Sequence, residues 1–565
     1  PAILVHGLGG VGKTTLARGF VHWLSQTQGL GNGCLWISFV EVRSADYVIN
    51  RMGEPIFGPN FAAHPIETRI DALAKALHEH PLLVVWDNFE VAKGIPAAGI
   101  PANLSDDDRD HLLALLKKLH GGQTKILITS RSEETWLGET RCPVSLSGLD
   151  GEERWEYCQA ILDQLGKKVD REDMDQVELM ALLDGHPLAM RVIVPKLAEM
   201  PAKAIAAALR SNLADLDLGQ DESQRKLYAT LAFAQTALPQ ADRNLLIGLA
   251  LHERFLDASL LQHMAKQVDP QWTDQRLRAA LDVLTNAGLL RNLVQGQIYE
   301  LHPALTGYLR STFLPSVAAD LRDRWTRAFV DVMGTFADHL APRPLHEQQL
   351  PFHIHQANLH SARNQALRLA MAVDCAALTQ SLAAHAQNTR NWKEAERLFG
   401  SLAENCAARG DKKTEAATYH QLGIVAQERR DFAAAESWYR RSLEIEEKFG
   451  NERGAASTYL QLGTVALERR DFAAAESWYR RSLEITEKLG DEQGAALTYH
   501  QLGRVAQEHR DFAAAEMWYR RSLEIKEKPG DEHGAASTYL QLGTVALERR
   551  DFAAAESWYH RSLEI

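Results

Sequence analysis

Four residues near the start of the chain carry the clearest chemistry. Gly7, Gly12, Lys13 and Thr14 stand at the spacing G-x-x-x-x-G-K-T inside the run GLGGVGKTTLA. Glycines there let the backbone curl until the N–H groups of Gly9, Gly10, Val11, Gly12, Lys13, Thr14 and Thr15 converge on phosphate oxygens. The positive end of a helix behind the loop adds to the attraction. Lys13 would reach the β- and γ-phosphates, and the Thr14 hydroxyl would hold Mg2+. The expected ligand is a nucleoside di- or triphosphate.

Two further segments supply ionisable groups. LLVVWDNFE carries Asp87, an acid suited to hold Mg2+ through water, and Glu90, a candidate to polarise an attacking water. KILITSR carries Thr129, Ser130 and Arg131. Arg131 could read a γ-phosphate by a charge-assisted, bidentate contact and so tell ATP from ADP.

These groups need a scaffold that brings them to one edge. Residues 2–5 read as a strand before the loop, and a helical pattern follows from Thr15. The continuous Leu/Val character of LLVVW suits a parallel strand buried on both faces. In such α/β sheets, ligands bind at the C-terminal ends of the strands, where Asp87 and Arg131 are expected. Further on, GHPLAM lies in a helical region that Pro187 is expected to interrupt.

At 565 residues the chain is long enough for several domains. Its net charge of −12 gives no electrostatic reason to expect nucleic acid. Cys34, Cys142, Cys158, Cys375 and Cys406 lie far apart without a C-x-x-C pair. That spacing argues against zinc or a disulfide framework and for a reducing, cytoplasmic setting. No apolar run reaches the length of a membrane span. Both ends read as cuts through a longer protein.

The landmarks GLGGVGKTTLA, LLVVWDNFE, KILITSR and GHPLAM, in this order, resemble the STAND class of P-loop NTPases, which includes the NB-ARC switches. The resemblance covers about residues 1–315. It implies a P-loop nucleotide-binding domain (1–150), a helical domain (151–225) and a winged-helix domain (226–315). It also implies that Pro187 packs beside the adenine, that Arg131 is the sensor, and that ATP is preferred over GTP. His302 matches the histidine that touches the β-phosphate of ADP in the closed state, although Pro303 stands where many members carry Asp. Asn88 replaces a second acid found in many members, so slow hydrolysis is implied. RLRAALDVLTNAGLL reads as the third helix of the winged helix, and RNLVQGQIYEL as a wing turning at Gln295 and Gly296. That helix lacks the basic stripe that DNA phosphates require.

From about residue 391 the chain repeats every 40 residues: RRDFAAAESWYRRSLEI at 429 recurs at 469 and, with small changes, at 509 and 549. A period of this size signals a solenoid. Tyr459, Leu462, Gly463, Ala466, Phe472, Ala475, Tyr479 and Ser482 fit the tetratricopeptide pattern. The unit is longer than the usual one of about 34 residues, and resembles the long form found in kinesin light chains. Residues 316–390 read as a helical linker, and its His353, His355 and His360 show no metal-ligand spacing.

The copies differ along one helical stripe: His420, Leu460, His500 and Leu540; Ile424, Thr464, Arg504 and Thr544; Gln427, Leu467, Gln507 and Leu547. The expectation is a concave groove that reads a protein or peptide ligand. The fold class expected overall is multidomain: an α/β P-loop core, a helical domain and winged helix, then an all-α tetratricopeptide solenoid. The expected function is an ATP/ADP switch. Ligand binding in the groove would drive nucleotide exchange, opening and homo-oligomerisation, and slow hydrolysis would reset the switch. A transcription regulator, or a repeat scaffold with a vestigial ATPase, are the alternatives.

Overall fold

The computed structural model describes residues 2–58, 61–62, 64–95, 102–216, 222–527 and 532–565, and for Pro303 the backbone alone. The chain divides into two compact units, Pro1–Glu394 and Ala395–Ile565.

The first unit opens with a five-stranded parallel sheet. Its strands are β1 (Ala2–His6), β2 (Cys34–Ser38), β3 (Leu83–Asp87), β4 (Lys125–Ser130) and β5 (Arg141–Ser145), in the order β2-β3-β4-β1-β5. Every residue of β3 is buried, as its unbroken apolar run requires. The sheet is covered on both faces. Leu4, Val84 and Trp86 pack with Phe39, Phe89 and residues of α2 (Ala45–Phe57), α3 (Ile66–Glu79) and α4 (Asp106–Leu119). Val5, Val85 and Leu127 pack with Ala17 of α1 (Lys13–Gln26) on the opposite face. Alternation along the strands sends neighbouring residues to opposite faces. The loop from β1 to α1 is therefore held above a rigid sheet, with the ends of β3 and β4 beside it.

Helices α5 (Gly151–Asp163), α6 (Met174–Leu183), α7 (Pro187–Ile193), α8 (Ala202–Ala214) and α9 (Glu222–Gln235) follow. Pro187 does not interrupt a helix. It is the first residue of α7, where its ring geometry suits the start and its missing N–H is not needed. Next come α10 (Leu245–Leu251), strand β6 (Phe255–Asp257), α11 (Ala258–Val268), α12 (Asp274–Asn286), and a hairpin of β7 (Leu290–Val294) and β8 (Ile298–Leu301). The three strands form an antiparallel sheet in the order β6-β8-β7, and the hairpin turns where Gly296 takes a φ of 71°. A short helix, α13 (Pro303–Tyr308), then leads towards the long helices Ala319–Leu340 and Leu345–Arg368.

The second unit is all helical, in hairpins of about 17 residues per helix such as Glu452–Glu468 and Phe472–Lys488. Tyr439, Tyr479 and Tyr519 are wholly buried between the paired helices. A Cβ at Gly463 would stand 2.5 Å from the Tyr479 ring, so glycine here is what admits the aromatic plug. Ser442, Ser482 and Ser522 tie each pair by donating to the carbonyls of Ala416, Ala456 and Ala496.

One backbone feature marks the repeat more evenly than the sequence does. Left-handed residues recur at twenty-residue steps: Ala370, Arg390, Gly410, Arg430, Gly450, Arg470, Gly490, Arg510 and, after residues outside the description, Arg550. At each turn an N–H bonds the carbonyl five residues back, as Asp431 does to Ala426 and Met371 to Ala366. This is the helix-ending pattern in which a left-handed residue closes the last turn. The rhythm therefore starts at Ala370, twenty residues before the copy recognised from Arg390.

Candidate functional site

The β1–α1 loop curls around its own lysine. Lys13 Nζ donates to Gly7 O at 2.7 Å and Leu8 O at 2.8 Å. Gly10 and Gly12 have φ of 90° and 107°, and a Cβ on Gly7 would collide with the Leu146 carbonyl. Val11 is buried beneath the loop, and Thr15 is exposed on the first turn of α1. Burial pushes the Lys13 ammonium down to about 8, against the opposing pull of Glu90 and Asp87.

Asp87 at the end of β3 is the polar hub of the site. Its Oδ1 accepts from Thr14 Oγ1 at 2.9 Å and from Thr129 Oγ1 at 2.5 Å, and its Oδ2 accepts from Asn88 Nδ2 at 3.2 Å. A hydroxyl and a carboxylate in direct contact beside the loop are oxygen donors of the kind that suits Mg2+. Glu90 and Arg131, expected to act separately, are joined: Arg131 Nε lies 3.1 Å from Glu90 Oε1, and Glu90 is buried. Glu90 Oε2 has no hydrogen-bond partner among the described residues. Arg131 also lies over Gly9, where a Cβ would stand 3.2 Å from the guanidinium carbon.

Two imidazoles close the loop from the other side. His302 stands at the start of α13 and His186 at the start of α7, and each Nδ1 accepts a backbone N–H of its own helix. The Cε1 atoms of both rings lie 2.9 Å from where a Cβ of Gly10 would be. His186 Nε2 also meets Gly9 O at 3.0 Å. Burial pushes His186 down to about 4 and His302 to about 3. Pro187 is half-buried on α7 beside His186.

In the repeats, several positions of the variable stripe also take part in the packing. Tyr439 donates its hydroxyl to Gln427 Oε1, and Tyr519 to Gln507 Oε1, each at 3.0 Å. In the alternate copies residues 467 and 547 are Leu467 and Leu547, and the hydroxyls of Tyr479 and Tyr559 turn to Thr464 and Thr544 at 3.2 and 3.4 Å. Ile424 with Gln427, and Thr464 with Leu467, are thus two ways of satisfying the same buried hydroxyl. His420 and His500 are bound through Nδ1 to Thr458 and Thr538 of the following copy. Leu460 packs half-buried against its neighbours, Arg504 donates to Gln501, and Leu540 and Leu547 are 48% and 46% exposed.

A tetratricopeptide repeat family model matches residues 374–448 and 454–528. Its start agrees with the backbone rhythm that begins at Ala370. The chain thus carries tetratricopeptide repeats, and its phosphate-loop unit resembles those of STAND-class P-loop NTPases. Among curated relatives, the putative inactive disease susceptibility protein LOV1 of Arabidopsis thaliana is 26% identical over 267 residues, 44% of this chain and 34% of the relative. The disease susceptibility protein LOV1 of the same plant is also 26% identical over 267 residues, 44% of this chain and 27% of its own length. The chain thus spans about a third or less of the curated relatives it matches. A solved STAND protein with a tetratricopeptide repeat sensor from Pyrococcus horikoshii is 14% identical, covering 100% of this chain and 93% of that one with a TM-score of 0.35. NprR in complex with its cognate peptide NprX is 11% identical, covering 45% and 70%, with a TM-score of 0.32.

Sequence reasoning missed His186, although it lies inside GHPLAM, because the proline beside it drew the inference. No helix among the described residues is long and apolar enough to cross a membrane.

Proposed function

We propose that this chain is a signalling switch operated by ADP and ATP. The observation that carries the reading is the convergence of three separate segments on Gly10: the phosphate loop itself, α7 through His186 and α13 through His302. A ligand entering the loop must meet the side chains that hold the following modules in place, so occupancy and module packing are linked.

In this reading the N–H groups of Gly9 to Thr15 and the Lys13 ammonium bind the phosphates. Thr14 and Asp87 hold Mg2+, which supplies charge neutralisation of the phosphate oxygens. Lys13 leaves its two loop carbonyls for the phosphates, whose negative charge favours its ammonium form. Glu90 orients water and Arg131, now paired with it, turns to the γ-phosphate. Pro187 borders the adenine, and residues 226–315 act as a winged-helix brake through His302. A protein or peptide ligand binds the repeat face at its accessible positions, Leu460, Arg504, Leu540 and Leu547. It acts only through its difference in affinity for closed and open forms, and the open form homo-oligomerises.

The test is release of prebound fluorescent ADP. His302→Ala is expected to speed release by about tenfold, the worth of one buried polar contact, while Lys13→Ala abolishes retention. Release from His302→Ala at the rate of the unaltered chain would remove the latch from the account.

A further inference from the structure

His186 has both nitrogens committed. Nε2 faces the Gly9 carbonyl at 3.0 Å, and a carbonyl can only accept, so Nε2 carries the proton. Nδ1 accepts the Ala189 N–H at 3.4 Å, which caps α7 and leaves Nδ1 bare. The ring is buried, in one tautomer and uncharged, and burial pushes it down to about 4, in keeping with that assignment. Its Cε1 edge abuts Gly10, which sits at a φ of 90° and has no Cβ to restrain the peptides on either side of it.

In a planar trans peptide the C=O and the following N–H point in opposite directions. A donor that grips the Gly9 carbonyl therefore also aims the Gly10 N–H, away from His186. We propose that His186 is a positioning residue for the phosphate loop, its Nε2–H holding the Gly9–Gly10 peptide in the orientation that offers the Gly10 N–H to a nucleoside diphosphate. The proposal rests on the nucleotide-site reading above. It assigns His186 a task besides starting a helix: it joins the first turn of α7 to the geometry of the anion site.

The two tasks of the ring can be separated by substitution. In His186→Asn the Oδ1 still caps α7, but the side chain is too short to reach Gly9. In His186→Gln the Nε2 amide still reaches Gly9, but the cap is poor. Equilibrium binding of fluorescent ADP to the full chain, alongside its melting temperature, reads both. The expected result is a loss of about tenfold in affinity for His186→Asn at near-native melting temperature. His186→Gln is expected to bind within about threefold of the unaltered chain despite a lower melting temperature. Native affinity in His186→Asn, or affinity that follows melting temperature in both variants, would overturn the proposal and leave His186 a helix cap. ADP binding by the unaltered chain that is lost in Lys13→Ala keeps the site reading intact in that case. No ADP binding by the unaltered chain would overturn both.

Discussion

At Gly10, two imidazoles stand 2.9 Å from where a Cβ would be, on a backbone with φ of 90°. Gly10→Ala is therefore expected to cost about 1–3 kcal/mol through overpacking and to abolish ADP retention, read by thermal melting and by nucleotide content. A variant that melts normally and keeps its nucleotide would mean the rings are not seated as described. Lys13, Thr14 and Asp87 were legible because motif spacing and strand ends locate them without tertiary detail. The Glu90–Arg131 pair was not, since the two residues come from different loops and each reads as an independent catalyst. His186 was equally hidden, because a histidine before a helix-starting proline has no spacing signature of its own.

The repeat helices offer tests that a static groove would not. In the second complete copy, Thr464→Ile removes the acceptor of the Tyr479 hydroxyl, which Leu467 cannot replace. A buried unpaired hydroxyl costs about 1–3 kcal/mol, and adding Leu467→Gln is expected to restore most of it, as Gln427 does for Tyr439. Additive losses in the double-mutant cycle would show that the alternation between copies is not compensation.

Glu446 gives the pH test at the same scale. It is buried, accepts from Thr458 Oγ1 at 2.8 Å, and is pushed up to about 7, chiefly by burial. The folded chain thus binds this proton more tightly than the unfolded chain. The stability it contributes is fully present below about 4.5 and is lost as pH rises through 7. Glu446→Gln is expected to melt a few degrees above the unaltered chain at pH 8, with the difference closing by pH 5; a difference that is constant with pH would contradict the shift. The array itself was legible from its 40-residue period. Its first turn at Ala370 was not, because Met371 stands where later copies place a capping Asp or Asn.

At the scale of the first unit, side chains from the starts of α7 and α13 meet the phosphate loop at one glycine. Strands β1, β3 and β4 and the β7–β8 hairpin were legible from apolar runs and turn residues, whereas β2, β5 and the order of the strands were not. Nor was the way the modules meet, because packing between segments far apart in sequence leaves no periodic trace. The central claim is that the loop holds a diphosphate as part of a closed, resting form. The most direct measurement is the nucleotide carried by the chain purified without added nucleotide, released by denaturation and identified by chromatography. The account predicts ADP at close to one per chain. An empty site together with rapid steady-state ATP turnover would contradict it and point to a continuously cycling ATPase.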